Sequence, residues 1–338
     1  MYKVYPDNFD FQSYETEYIN AFAVRYNKDG SLNKKDNNLN EAYKEFSKIQ
    51  NWPEIHKIKS KVQKFPSKFE DLLILQPVEI CEIYLEFNNL SQTEKNKINT
   101  IKFEYDVLKS RIFNFFINNI DKLNFNTCFY CYMNFINSYC IEKIDNQKTI
   151  KQTKKQFDLD HFIPKQHCKL FALCLYNFVP SCSNCNSGSK GCNFTYNCKT
   201  ASELATVFPT SITYNWKDYM KFKIFPKNFN AISALLYSNN FKEFGLALES
   251  KNTLYEEESK TFEIIQKYEF FMKQFVTQID KYRMYDNNFF NLLIKKLPIG
   301  STSFLYEAIF NNELRNSHQL PFKKIYGDIK DIFDNTKL

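Results

Sequence analysis

Apolar residues recur at intervals of three and four over much of this chain, the period that returns side chains to one face of an α-helix. Leu39-Asn40-Glu41-Ala42 opens one such stretch, and Pro53 is placed to start the next, because a first helical turn has no use for the proline's missing N–H. Leu72, Leu75, Val78, Cys81 and Leu85 predict a helix over Phe69 to Phe87. Phe103, Val107, Ile112, Phe115, Phe116 and Ile120 predict another over Ile101 to Leu123. Towards the C-terminus Ile265, Tyr268, Met272, Phe275, Ile279 and Tyr282 alternate spacings of three and four. That seam predicts one amphipathic helix over Leu254 to Tyr285, with shorter helices around 287–297, 301–311 and 322–334.

The middle of the chain breaks this period. Phe135 to Ile141 and Gln156 to Asp160 are apolar and tolerate a β conformation, with the lysine-rich run Lys143 to Lys155 between them. The expected arrangement is a β-hairpin-like insertion carrying a solvated basic loop. Val207 to Phe229 fits either strand or loop. The pattern therefore predicts an α+β protein, mostly helical, in three regions: a helical N-terminal part (1–123), a central core (124–200) and a mainly helical C-terminal part (201–338).

Composition narrows the picture. Only 6 glycines and 10 prolines in 338 residues, with 35 Phe and 22 Tyr, argue for packed cores over low-complexity disorder. The formal charge of +7 is compatible with a polyanionic partner without requiring one. No apolar run reaches the ~18 residues of a membrane span, and Met1 to Asp7 lacks the apolar core of a secretory signal. The expected location is the cytoplasm, where thiols stay reduced and Cys-x-x-Cys pairs serve as metal ligands more often than as disulfides.

Two such pairs are present, Cys128/Cys131 and Cys182/Cys185, each spaced so that both thiolates can meet one zinc ion. They lie 50 residues apart, so a shared ion requires the intervening chain to fold back. Cys192 and Cys198 are the runners-up as ligands, and Cys81, Cys140, Cys168 and Cys174 sit among apolar neighbours as core thiols. Between the pairs stands Asp160-His161. The Asp160 carboxylate suits a hard cation such as Mg²⁺ or Mn²⁺, and the His161 imidazole can take a proton from water near neutral pH. Asn177 can hold the histidine loop, and Asn186 can add a carbonyl oxygen to the same cation. Lys190 and Lys165 can reach a phosphate. Each piece alone is common; their order is what points to metal-assisted hydrolysis of a phosphodiester.

Cys128-Phe-Tyr-Cys131, Asp160-His161-Phe-Ile-Pro164, Tyr176-Asn177-Phe-Val-Pro180 and Cys182-Ser-Asn-Cys185-Asn186 with Lys190 together resemble the HNH (ββα-metal, His-Me finger) nucleases that carry a four-cysteine structural zinc. The resemblance covers about 65 residues. It implies a ββα core clamped by a zinc knuckle, with Asp160 and His161 on the first strand and Asn186 on the helix. By that resemblance His161 is the general base, Asp160 and Asn186 bind the catalytic metal, Asn177 orients His161, and the four cysteines hold a separate zinc. The name motif ends on Asn186 here, where the family name has histidine. The stretches around Phe162–Lys165, Leu170–Cys182 and Leu320–Ile329 are also similar to HNH proteins of bacterial antiphage defence modules of the Septu and retron type.

The expected function is thus a metal-dependent DNA endonuclease acting in such defence. It would have nucleic acid as partner, no membrane, and a homodimer or a partner protein such as an ATPase, with the 254–285 helix as a first partner surface. The alternatives are an RNase of the same fold, a sequence-specific restriction endonuclease, and, ranked last, a non-catalytic zinc module.

Overall fold

A computed structural model describes residues 4–6, 8–23, 36–123, 126–145, 148–194, 196–227, 241–284 and 321–335. The fold is α+β, with helices and three two-stranded antiparallel sheets. The described chain forms two compact units. One is built from Tyr2–Phe129 with Phe135–Asn215. The other comprises Trp216 onward together with Tyr130–Asn134.

The first unit opens with α1 (Phe11–Ala21), α2 (Asn37–Ile49), α3 (Pro53–Lys59) and α4 (Phe69–Leu73). It continues with α5 (Pro77–Asn88), α6 (Gln92–Ile98), α7 (Tyr105–Asn118) and α8 (Ile120–Leu123). The helix expected over Phe69 to Phe87 is two helices. Pro77 has no N–H to give to the preceding turn, so the chain breaks there, and Pro77 restarts it at N1 behind the Gln76–Glu79 capping box. Val78, placed on the apolar stripe from the spacing alone, is 43% exposed as a result. The helix expected from Ile101 begins only at Tyr105, after Glu104 takes a left-handed conformation (φ +51°). Tyr14, Tyr18, Ile112, Phe115 and Phe116 form the core between α1 and α7, with the Tyr18 and Phe115 rings 4.9 Å apart and edge to face.

The central hairpin also differs from expectation. Its strands are β1 (Ser138–Asp145) and β2 (Lys148–Lys155), paired from Ser138↔Lys155 to Asp145↔Lys148. The lysine-rich run is therefore a strand, where a solvated loop was expected. Thr149, Ile150 and Thr153 supply β-branched positions that the surrounding lysines mask in a hydropathy reading. The next strand, β3 (Asp158–His161), does not join that sheet. It pairs with β4 (Phe178–Ser181) in the register Asp160↔Val179 and His161↔Phe178. A π-helical turn, Asn184–Lys190, follows β4 directly, and α9 (Ala201–Thr206) closes the unit against α5.

In the second unit α10 (Trp216–Tyr219) leads into β5 (Met220–Pro226), which pairs with β6 (Phe244–Ser250). The 254–285 segment is not one helix but three: α11 (Thr253–Thr261), α12 (Ile264–Glu269) and α13 (Met272–Met284). Glu263, left-handed at φ +51°, turns the chain between the first two. The seam residues Tyr268, Met272 and Phe275 are buried inside the unit. Tyr268 stacks on Phe222 at 4.8 Å, and Phe275 meets Phe322 at 5.4 Å and Tyr326, on α14 (Lys323–Asn335), at 6.0 Å. The helices expected at 287–297 and 301–311 lie outside the described residues. No helix among the described residues is long and apolar enough to cross a membrane.

Candidate active site and four-cysteine group

Asp160 and His161 end β3, and the strand pairing with β4 fixes the backbone of both. The sixteen-residue connection from Phe162 to Asn177 is almost wholly buried, with Leu170, Phe171, Leu173, Cys174, Leu175 and Asn177 all at 0% exposure. A buried loop must find partners for its own polar groups, and here side chains supply them. Asn177 accepts from the Ile163 amide at 2.8 Å and donates to the Ile163 and Phe171 carbonyls at 3.1 Å each. Asn99 accepts from the Lys169 amide at 3.0 Å and donates to the His167 carbonyl at 3.1 Å. Tyr18 donates to the Leu173 carbonyl at 2.8 Å. His161 itself serves Ala172, its Nε2 lying 3.0 Å from that carbonyl oxygen.

The last contact decides the state of the histidine. A carbonyl can only accept, so Nε2 carries the proton, and in the neutral ring Nδ1 holds the lone pair. Burial pushes the His161 pKa down to about 4, with the positive charges of Lys190 and Lys165 adding to the effect and the Ala172 contact opposing it. The ring is packed as well as bonded: Tyr105 meets it edge to face at 4.8 Å, and Phe178 lies at 4.8 Å. At neutral pH this is an oriented, uncharged base.

Asp160, His161, Lys165 and Asn186 line one cleft of about 370 Å³, together with Tyr105, Ser187 and Cys192. Asp160 comes from β3, Lys165 from the loop after it, and Asn186 from the π-helical turn. Two residues named from the sequence are not in its wall. Asn177 is fully buried and acts on the loop backbone. Lys190 is 3% exposed and donates from Nζ to Asp160 Oδ2 and to the His161 carbonyl, both at 2.5 Å. The structure thus places the Lys190 charge on Asp160. Lys165 lies 4.5 Å above the Tyr105 ring and 3.3 Å from Asp106 Oδ1, which steers its head over the cleft.

Tyr105, Asp106, Asn99 and Ala172 did not emerge from the sequence. Burial and the carboxylates of Asp106, Asp160 and Asp158 hold the Tyr105 hydroxyl protonated, its pKa pushed up to about 12. Tyr105 is legible only as the first turn of an apolar helix, and Ala172 acts through a backbone oxygen that no side-chain pattern reveals.

The four cysteines come together. The Sγ atoms of Cys128, Cys131, Cys182 and Cys185 all lie within 4.8 Å of one another, and all four residues are buried. An isolated bridge between Thr127 and Phe135 closes the loop that carries the first pair, and Tyr132 (φ +52°) turns the chain straight after Cys131. The amide of Phe129 donates to the carbonyl of Pro180 at 3.3 Å, holding this loop beside the end of β4 from which the second pair departs. Tetrahedral thiolates at ~2.3 Å from one ion stand roughly 3.8 Å apart, so the group can hold a metal ion. Cys192 and Cys198 are not part of the group. Cys81, Cys168 and Cys174 are buried thiols whose pKa values burial raises, that of Cys168 to about 12. The Cys140 side chain lies outside the description.

Comparison with family models, with curated proteins and with solved structures finds no match to this chain.

Proposed function

We propose that the protein is a metal-dependent endonuclease of the HNH type, hydrolysing phosphodiester bonds of DNA, with zinc in the four-cysteine group. The observation that carries this reading is one cleft lined by Asp160 and His161 from β3, Lys165 from the loop after it and Asn186 from the π-helical turn that follows β4. The sequence resemblance to antiphage nucleases supplies the biological setting, bacterial defence.

The oxygen donors at the cleft, the Asp160 carboxylate and the Asn186 side-chain amide, fit in kind a hard cation such as Mg²⁺ or Mn²⁺, which keeps several waters of its own. Bound there, such a cation would steady the leaving oxygen and the charge that grows on the phosphate. The rest falls to the chain. His161 takes the proton of an attacking water at Nδ1 while Nε2–H stays on the Ala172 carbonyl. The water oxygen bonds to phosphorus, one ester P–O bond breaks, and the departing alkoxide takes a proton from solvent. Lys165 draws a phosphate oxygen into the cleft. Lys190 fixes the Asp160–His161 pair to the π-helical turn.

The test is nicking of supercoiled plasmid with and without Mg²⁺ by wild type and His161→Ala. Removing the base is expected to lower the rate by about 10²–10⁴-fold with the circular dichroism spectrum unchanged. Wild-type rates in His161→Ala would remove the proposal. Parallel incubation with total RNA separates an RNase from a DNase.

A further inference from the structure

A second and larger cavity, about 750 Å³, opens between the end of α5 and the segment leading into α9. None of the residues of the proposed hydrolysis lines it. Three aromatic side chains stand in its largely polar wall: Tyr84 is nearly buried, whereas Phe194 and Tyr196 are half-exposed. Phe194 meets Tyr84 edge to face at 5.2 Å and Tyr196 at 5.2 Å. Amide side chains from Gln63, Asn88 and Asn197 also line it. Its formal charges, Lys61 and Lys199 against Glu82 and Glu86, cancel, and Lys61 is ion-paired with Glu86 at 3.3 Å.

This lining selects a chemistry. A phosphate would need a surplus of positive charge, which the cavity lacks. A purely apolar ligand would cover this polar lining, the exposed Gln63 and Asn197 amides among it, without offering them partners in place of water. A flat, uncharged ring system edged with donors and acceptors satisfies both parts, stacking on aromatic faces while amides read its edge. A nucleobase is such a ligand.

The position relates the cavity to the hydrolytic cleft. Cys192 lines the cleft and Phe194 lines the cavity, two residues further on. Two residues span at most roughly 7 Å, the rise of about two nucleotides along one strand. Phe162, next to His161 in sequence, packs on both Phe194 (5.5 Å) and Tyr196 (5.3 Å), so the cavity wall and the catalytic strand are one packed body.

We propose that this cavity is a nucleobase subsite, which takes an unstacked base of the substrate strand flanking the scissile phosphate. The assignment rests on the nuclease reading for the source of the base, but on the cavity alone for its chemistry. It makes the enzyme selective for substrates in which a base near the cut is unpaired.

The experiment measures binding of labelled, short single-stranded homopolymers of each base to full-length protein without divalent metal, by fluorescence anisotropy. Free nucleosides are titrated alongside. Tyr196→Ala and Asn88→Ala are compared with wild type after circular dichroism confirms their fold. The expected result is a preference among homopolymers, binding about tenfold weaker in Tyr196→Ala, and a flattened preference in Asn88→Ala. Variants that bind every homopolymer as wild type does would overturn the subsite, and plasmid cleavage by those same proteins would leave the nuclease standing. Conversely, protein that cuts nothing, yet whose nucleoside binding falls in Tyr196→Ala, would keep the base site and lose the nuclease. Nucleosides that bind as tightly as the strands would overturn the assignment to a strand.

Discussion

Nζ of Lys190 lies 2.5 Å from Oδ2 of Asp160, with both side chains at most 4% exposed, and the same ammonium holds the His161 carbonyl. One buried cation thereby ties the end of β3 to the end of the π-helical turn. Removing one member of such a pair leaves a charge uncompensated away from water, at a cost of about 3–5 kcal/mol. Lys190→Met is expected to lose that much in urea unfolding without added magnesium. The double variant Lys190→Met/Asp160→Asn, with no charge left, is expected to regain part of it. A single variant as stable as wild type would show that the pair carries no such weight.

Asn177 makes a different kind of prediction, because its amide does three jobs at 0% exposure. In Asn177→Asp the acceptor for the Ile163 amide survives, but a carboxylate oxygen replaces the nitrogen that serves two carbonyls. Leaving buried polar groups unmatched costs about 1–3 kcal/mol, more when one is charged. Thermal denaturation should show a clear loss. The Phe162–Asn177 connection also carries Ala172, the partner of His161, so kcat for plasmid nicking should fall more than KM rises. An effect on KM alone would argue that this connection does not set the histidine.

How much of this was readable in the chain follows from where each part resides. Asp160, His161, Lys165 and Asn186 fall within one short stretch, so their meeting in a cleft could be anticipated from order alone. The gathering of the four cysteines was readable from a different signal, the Cys-x-x-Cys spacing repeated on either side of a 50-residue segment able to fold back. Pro77 announces its own break, although the apolar spacing runs through it. Glu104 and Glu263 do not: both adopt the left-handed region that favours glycine, and nothing in a glutamate marks that. The strand Lys148–Lys155 was hidden because its lysines outweigh its β-branched residues in any hydropathy reading. Asn99 stands 68 residues before the carbonyl that it holds, a separation that no local pattern spans.

Asn99 directly follows α6, and the start of that helix gives a prediction about pH. Ser91 and Glu94 form its capping box: the Glu94 carboxylate accepts from the Ser91 amide at 2.9 Å and its hydroxyl at 2.8 Å, and it also accepts from Lys57. The Lys57 contact and then the Ser91 contacts lower the Glu94 pKa to about 2. A carboxyl whose pKa is depressed by folding contributes stability above its ordinary value, 4.5, and loses it as the pH falls towards 2. Wild type should therefore exceed Glu94→Gln in melting temperature at neutral pH, with the gap narrowing as pH drops through that window. A gap that is constant with pH would assign the effect to shape rather than charge.

The cysteine group offers four buried sulfurs and the cleft offers oxygens, so the proposed structural zinc and the proposed hydrolytic cation should differ in how firmly each is retained. Purified protein is expected to carry about one zinc per chain by elemental analysis, held through dialysis that removes magnesium. Binding of a structural zinc is worth about 10–16 kcal/mol in small domains, comparable to the whole stability of a typical fold at about 5–15 kcal/mol. Cys131→Ser should therefore lose both zinc and cooperative unfolding. Cys192→Ser, at an exposed thiol outside the group, should keep both. His161→Ala should keep its zinc while losing nicking, because its ring serves Ala172 and the cleft. Full zinc content and an unaltered melt in Cys131→Ser would show that the four sulfurs are neighbours without being ligands.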